Sequence, residues 1–102
     1  MQLAPGITID DEVLRGFCRA NSVRWLGLFG SALRGELRAG SDIDLLVEFE
    51  PGRTPGLLRM AGLELQLKEL LGRDVDLRTA GDLSRHFRDE VSASARVLYD
   101  AA

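Results

Sequence analysis

This chain is poor in the residues that mark several functional classes. Its 102 residues include one cysteine, Cys18, one histidine, His86, and one tryptophan, Trp25. A lone cysteine closes no internal disulfide, so a disulfide-stapled scaffold is excluded and a buried thiol in a reducing compartment is expected. His86 sits in a helical pattern between Arg85 and Arg88 with no nucleophile beside it, so it reads as a surface or partner-contact residue. Trp25 reads as core or interface. Positive charge is not in surplus: thirteen basic residues face sixteen acidic ones, for a net charge of −3. With no basic tail, direct DNA binding is not expected. Lys68 is the single lysine, an imbalance read as coding bias before function. No apolar run approaches the ~20 residues that cross a bilayer. The opening MQLAPGITIDDE has acids where a signal peptide needs a basic start and an apolar run. A soluble, cytoplasmic protein without membrane contact is expected.

What is present suits a single small domain over residues 1–102, with an ordinary 45% apolar content. Thr8 or Asp10 can cap a first helix over residues 10–20, with Val13, Leu14, Phe17 and Cys18 as its apolar stripe. Residues 23–29, VRWLGLF, read as a buried strand. Gly30 breaks it, and residues 31–37 suit a short helix. Residues 42–49 form the clearest strand, with Ile43, Leu45, Val47 and Phe49 on one face and Asp42, Asp44, Leu46 and Glu48 on the other. After a turn at residues 50–53, Thr54 and Pro55 suit the cap and first position of a helix running to about residue 71. Its stripe is Met60, Leu63, Leu67, Leu70 and Leu71, and Gly72 is its stop. Residues 74–78 predict a third strand, with Asp74 and Asp76 outward. A last helical segment, with an interruption near Ser84 left open, is expected over residues 82–99, burying Phe87, Val91, Ala95 and Leu98. The order α-β-(α)-β-α-β-α predicts an α/β (α+β) fold: a small mixed β-sheet with helices packed on one face. The other face would carry Asp42, Asp44, Asp74 and Asp76.

The chemistry concentrates in residues 29–49, FGSALRGELRAGSDIDLLVEF. Gly30-Ser31 follows a strand, and ten residues separate it from a strand that opens on Asp42-Ile43-Asp44. Carboxylates at i and i+2 of a strand point the same way, with Cα atoms about 6.5–7 Å apart. They suit magnesium, which takes hard oxygen ligands and is usually held by one or two carboxylates plus substrate phosphates. A nucleoside triphosphate would complete such a site. Gly30 lets the backbone approach a phosphate closely, and the Ser31 hydroxyl and nearby amides can donate to its oxygens. Arg34 can neutralise a phosphate with two parallel hydrogen bonds. If the third strand neighbours the second, Asp76 joins the pair and could share a second Mg²⁺ and accept a proton from an attacking hydroxyl. Asp74 shares its parity and competes for that role, although it sits beside Arg73 and can pair with it. Glu64 and Lys68 are four apart on a helix and suit a surface pair. Each element alone has a plainer reading, as an ordinary turn or a solvated acidic edge, and their conjunction is what points to nucleotide and metal.

The same stretch resembles the signature of the minimal nucleotidyltransferases (MNT), in the DNA polymerase β-like nucleotidyltransferase superfamily. That pattern is Gly-Ser, a short spacer, Asp-x-Asp, and a third Asp on a later strand. The similarity continues through LLGRDVDLRT to FRDEVSASARVLYD and so covers nearly the whole chain. The resemblance implies the polymerase β-like fold. It implies that Gly30 and Ser31 bind the triphosphate and that Asp42 and Asp44 bind Mg²⁺. It makes Asp76, in the "VDL" strand, the third carboxylate in preference to Asp74. Many members have Ala-Arg-Gly where this chain has Leu33-Arg34-Gly35, so Arg34 and Gly35 still align.

Stand-alone MNT proteins of this size are typically encoded beside HEPN-domain proteins as toxin–antitoxin pairs. The resemblance therefore implies an antitoxin that transfers AMP from ATP to a hydroxyl of a HEPN toxin, with two Mg²⁺ ions and a homo- or hetero-oligomeric assembly open. The short chain leaves little room for an acceptor-gripping domain, which independently favours a protein acceptor. Two other readings stand beside it: an antitoxin acting by contact alone, and a small-molecule nucleotidyltransferase of the aminoglycoside type. No base-reading motif selects ATP over other triphosphates, and the residues do not choose Mg²⁺ over Mn²⁺.

Overall fold

A computed structural model describes residues 1–101. A two-stranded hairpin, β1 (Gln2–Ala4) and β2 (Ile7–Thr8), precedes helix α1 (Asp11–Ala20). Strand β3 (Val23–Phe29) leads into a single helical turn, α2 (Gly30–Leu33), and then strand β4 (Ile43–Phe49). Helix α3 (Leu57–Leu71) connects β4 to β5 (Val75–Thr79). A 3₁₀ turn (Ala80–Asp82), helix α4 (Arg85–Ser94) and strand β6 (Arg96–Asp100) complete the chain. The main sheet has the order β5-β4-β3-β6; β3 is antiparallel to both its neighbours, and β4 and β5 run parallel. The parallel step needs a crossover, and α3 supplies it. The mixed sheet with its helices agrees with the fold class expected from the pattern, but the helices do not all share one face: α1 and α3 pack on one side, and α4 on the other against Phe29 and Leu46.

Local chemistry accounts for most element ends. Asp10 caps α1 by accepting from the Glu12 and Val13 amides at 2.9 and 3.2 Å. Gly72, at φ +71°, ends α3 in the left-handed conformation, its N–H reaching the Lys68 carbonyl at 2.8 Å. The start of α3 departs from the Thr54-Pro55 reading. Gly56 takes the cap position and is extended, so the helix begins at Leu57. Thr54 precedes a proline, which disfavours helical geometry, and Gly56 is a weak helix former.

The larger correction falls at the C-terminus. The helix expected to run through residue 99 stops at Ser94, and Arg96–Asp100 is an edge strand on β3, pairing Tyr99 with Leu26 and Arg96 with Leu28. Val97, Leu98 and Tyr99 are strand formers, and the open side of β3 offers them hydrogen bonds that no helix could use. Leu98 is buried as expected, but from a strand, and Phe87 is 46% exposed. The β1–β2 hairpin was not foreseen, because strands of three and two residues are too short to show a period.

The two sheet faces differ. One carries the main core: Leu26, Leu28, Ile43, Leu45, Val47, Val75 and Leu77 meet Leu14, Phe17 and Cys18 of α1 and Leu63, Leu67 and Leu71 of α3. Val13 and Leu70, expected in those stripes, are exposed. The opposite face is only partly covered. There Phe29 and Leu46 pack with Leu83 and Val91, and the Trp25 indole lies over Gly27, where a Cβ would come within 2.8 Å of its Cζ3.

Cys18 has no exposed surface, and burial pushes its thiol up to about 12. The thiolate is the reactive form. Cys18 should therefore resist a thiol-reactive dye in the native protein and label at the rate of global unfolding when denaturant is added. Rapid labelling under native conditions would contradict this packing.

Candidate active site

The site begins where β3 ends. Gly30 has φ +70° and turns the chain directly from Phe29 into α2. The helix expected over residues 31–37 is a single turn: Arg34 ends it, Gly35 adopts φ +71°, and the Glu36 amide donates back to the Ser31 carbonyl at 2.8 Å. Four residues build little macrodipole, so the turn's attraction for anions comes from its amides and the half-buried Ser31 hydroxyl.

The carboxylate of Asp44 lies against this turn. A Cβ added at Gly30 would overlap that carboxylate, with its Cγ only 2.9 Å away. The ladders explain the approach. Phe29 is the register partner of Asp44 across the antiparallel β3–β4 pair, and Asp76 is its partner across the parallel β4–β5 pair. Adjacent strands lie about 4.8 Å apart, so the two acids are immediate neighbours on the partly covered face. Asp44 is half-buried, and its pKa is raised above the ordinary 3.8, first by desolvation and then by the charges of Asp76 and Asp42. Arg78 and Arg34 oppose that shift.

The other expected residues divide. Asp42 is exposed and lies just ahead of β4; its charge reaches Asp44, but it does not line the cleft. Asp76 is held by Arg78, whose Nε is 3.2 Å from each carboxylate oxygen, with a terminal nitrogen 3.1 Å from Oδ2. Asp74 is separated from the group: it pairs with Lys68 at 2.8 Å, toward α3, and not with Arg73. That leaves Glu64 free of Lys68, and it accepts instead from the Leu77 amide at 3.3 Å. Arg34 lines the cleft while its Nε bonds Glu36 at 3.2 Å.

A cleft of about 580 Å³ unites these parts, lined by Gly30, Ser31, Arg34, Asp44, Asp76 and Arg78. Helix α4 forms its remaining wall through Phe87, Glu90, Val91 and Ser94. Those four residues recur at i, i+3, i+4 and i+7, one helical stripe. Helical periodicity alone places Phe87 and Val91 of that stripe in the core and gives Arg78 no role. The signals existed: Arg78 shares the parity of Asp76, and Glu90 and Ser94 share the face of Phe87 and Val91.

The donor set fits a hard divalent cation. Asp44 and Asp76 offer carboxylate oxygens from adjacent strands, and the charge crowding at Asp44 is of the kind a cation relieves. Among the described residues no three His, Cys, Asp or Glu side chains gather closely enough to hold a metal ion by themselves. The protein therefore offers a partial set, which suits an ion that shares its ligands with phosphates. Among the described residues no helix is long and apolar enough to cross a membrane.

Comparison with known proteins gives this geometry a context. Residues 10–99 match the family model described as a nucleotidyltransferase domain. The protein adenylyltransferase MntA of Thermococcus cleftensis is 51% identical over 55 residues, 54% of this chain and 54% of that protein. The match thus spans about half the length of that relative. A crystal structure of a toxin–antitoxin with AMP-PNP superposes with a TM-score of 0.73 at 24% identity, over 90% of this chain and 74% of that one. A tri-AMPylated Shewanella oneidensis HEPN toxin in complex with MNT antitoxin gives a TM-score of 0.64, also at 24% identity, over 88% and 69%. At that identity the two structures establish likeness of fold.

Two predictions follow from the geometry. Gly30→Ala meets both the left-handed φ and the Asp44 carboxylate, and should lose about 1–3 kcal/mol of stability in denaturant melts. An unchanged midpoint would mean that the turn relaxes freely. Asp44→Asn should act in the opposite direction. A raised folded-state pKa means that ionising Asp44 costs stability, with the full penalty above that pKa and none once the group is protonated. The variant should therefore melt higher than wild type at pH 7 in EDTA, and the gap should close as pH falls through the carboxylate range. A gap that widens on acidification would reverse the sign.

Proposed function

Because the chain belongs to the nucleotidyltransferase domain family, we propose that it transfers AMP from ATP to a hydroxyl of a partner protein, a HEPN-domain toxin, and so acts as an antitoxin. The observation that carries this reading is the contact of the Asp44 carboxylate with the Gly30 turn, which opens a phosphate-suited turn and a cation-suited acid onto one cleft. The names of the relatives support the reaction and the kind of partner.

In the proposed reaction the Gly30 and Ser31 amides and the Ser31 hydroxyl hold the triphosphate, and Arg34 offsets its charge. Asp44 and Asp76, with Asp42 at the rim, would hold Mg²⁺ as a partial ligand set shared with the phosphates, and the ion when bound supplies charge neutralisation for them. Asp76 takes the proton of the acceptor hydroxyl as its oxygen bonds the α-phosphorus and pyrophosphate leaves. The chain's contribution is positioning and electrostatics, which is the main demand of nucleotidyl transfer. The acceptor enters between the carboxylates and α4, where Phe87 and Ser94 form the wall.

The test is labelling. With α-labelled ATP and Mg²⁺, a HEPN protein encoded beside this chain should acquire label. EDTA should abolish transfer, and Asp44→Asn should reduce it on the order of 10²-fold or more. Equal labelling by wild type and Asp44→Asn would sink the catalytic reading. Protection of cells by an Asp42→Asn/Asp44→Asn double variant would move the antitoxin effect to contact alone.

A further inference from the structure

Arg78 lies on β5 two residues after Asp76, on the same strand face, and lines the same cleft. Its guanidinium spans both oxygens of Asp76, at 3.1–3.2 Å. Asp44, the register neighbour of Asp76, has no ion pair or side-chain hydrogen bond among the described residues. Arg34, the other cleft cation, is drawn off by Glu36. One arginine is thus the main counter-charge for a face built from carboxylates, and it occupies the oxygens that a bound cation needs. The pair is not locked in place: the Arg78 side chain is 47% exposed and that of Asp76 31%. A long, half-exposed arginine can swing to a new partner without moving the strand.

We propose that Arg78 is an exchangeable counter-ion: it holds Asp76 while the cleft is empty, yields that carboxylate to an arriving divalent cation, and passes to the triphosphate. This positioning role rests on the nucleotidyltransferase reading above. It ties cation and nucleotide binding together, because the cation must displace an arginine to reach Asp76 and the triphosphate gives that arginine a new partner. A cation alone meets opposition, and a cation with its nucleotide meets help. Guanidinium suits both partners, since its planar fork matches carboxylate and phosphate alike.

The proposal predicts effects of opposite sign. Mn²⁺ binding, followed by the loss of free-ion electron paramagnetic resonance signal, should tighten about five-fold in Arg78→Ala. That is the scale of removing one cation a few ångströms away in a water-like dielectric. Binding of Mn²⁺ together with a non-hydrolysable ATP analogue should weaken about ten-fold in the same variant. Arg78→Lys, which keeps the charge but loses the fork, should restore most of the nucleotide affinity. A merely structural arginine would weaken both affinities or neither, and either result overturns the proposal. The Asp44→Asn variant separates the two levels. If it abolishes Mn²⁺ binding while Arg78→Ala leaves it unchanged, the counter-ion role fails and the site reading stands. If Asp44→Asn leaves Mn²⁺ binding unchanged, the site reading fails and the counter-ion role falls with it.

Discussion

The pairing of Phe29 with Asp44 across the β3–β4 ladder is the constraint on which the cleft depends. It brings the end of one strand to the beginning of the next, so that the Gly30 turn and the Asp44 carboxylate share one corner of the sheet. Only a residue without a Cβ fits there, because the carboxylate already fills the space. A slip of one residue in this ladder would send Asp44 to the core face and bring Ile43 or Leu45 to the cleft. The large apolar set on the opposite face opposes such a slip: Ile43, Leu45 and Val47 are each 2% exposed or less. The geometry of the charged corner is thus enforced by hydrophobic packing on the far side of the same strand.

That division also explains how a small domain tolerates the charges. The core face supplies the burial, through α1, α3 and the strands between them. The cleft face is free to carry half-buried acids, where desolvation and then repulsion from Asp76 and Asp42 raise the Asp44 pKa. Such a cluster is costly in isolation, and the Arg78 fork is the only side-chain ion pair on Asp42, Asp44 or Asp76 among the described residues. The strain remains local because the sheet beneath it is held from behind.

Much of this was legible before the fold. Period-two alternation placed Asp44 and Asp76 on one face, and the structure makes them register partners. Alternation could not separate Asp74 from Asp76, because parity ignores where a strand starts. Asp74 lies one residue ahead of β5, and Lys68 draws it toward α3. The same limit touches Asp42, which precedes β4 and stays at the rim. Arg34 and Ser31 lie near their expected places, although the helix they were to open is one turn long. The C-terminal segment misled for a different reason. Phe87, Val91, Ala95 and Leu98 continue a helical period through a break that only the open edge of β3 reveals.

That break completes the site. In open parallel sheets ligands collect beyond the carboxyl ends of the strands. Here the cleft lies beyond the carboxyl end of β3 and the amino ends of β4 and β5, because β3 runs against β4. The only βα connection at that corner among the described residues is the tight Gly30 turn into α2, so a further wall must come from elsewhere in the chain. Strand β6 anchors the C-terminal segment to the free edge of β3, and α4, tied to it through Ala95, reaches over the cleft face. Val91 seats the helix on Phe29 and Leu46, and the rest of its stripe faces the carboxylates. A continuous helix over residues 82–99 could not have made that return. The exchange of one helical turn for a short edge strand therefore turns an exposed acidic face into a walled cleft.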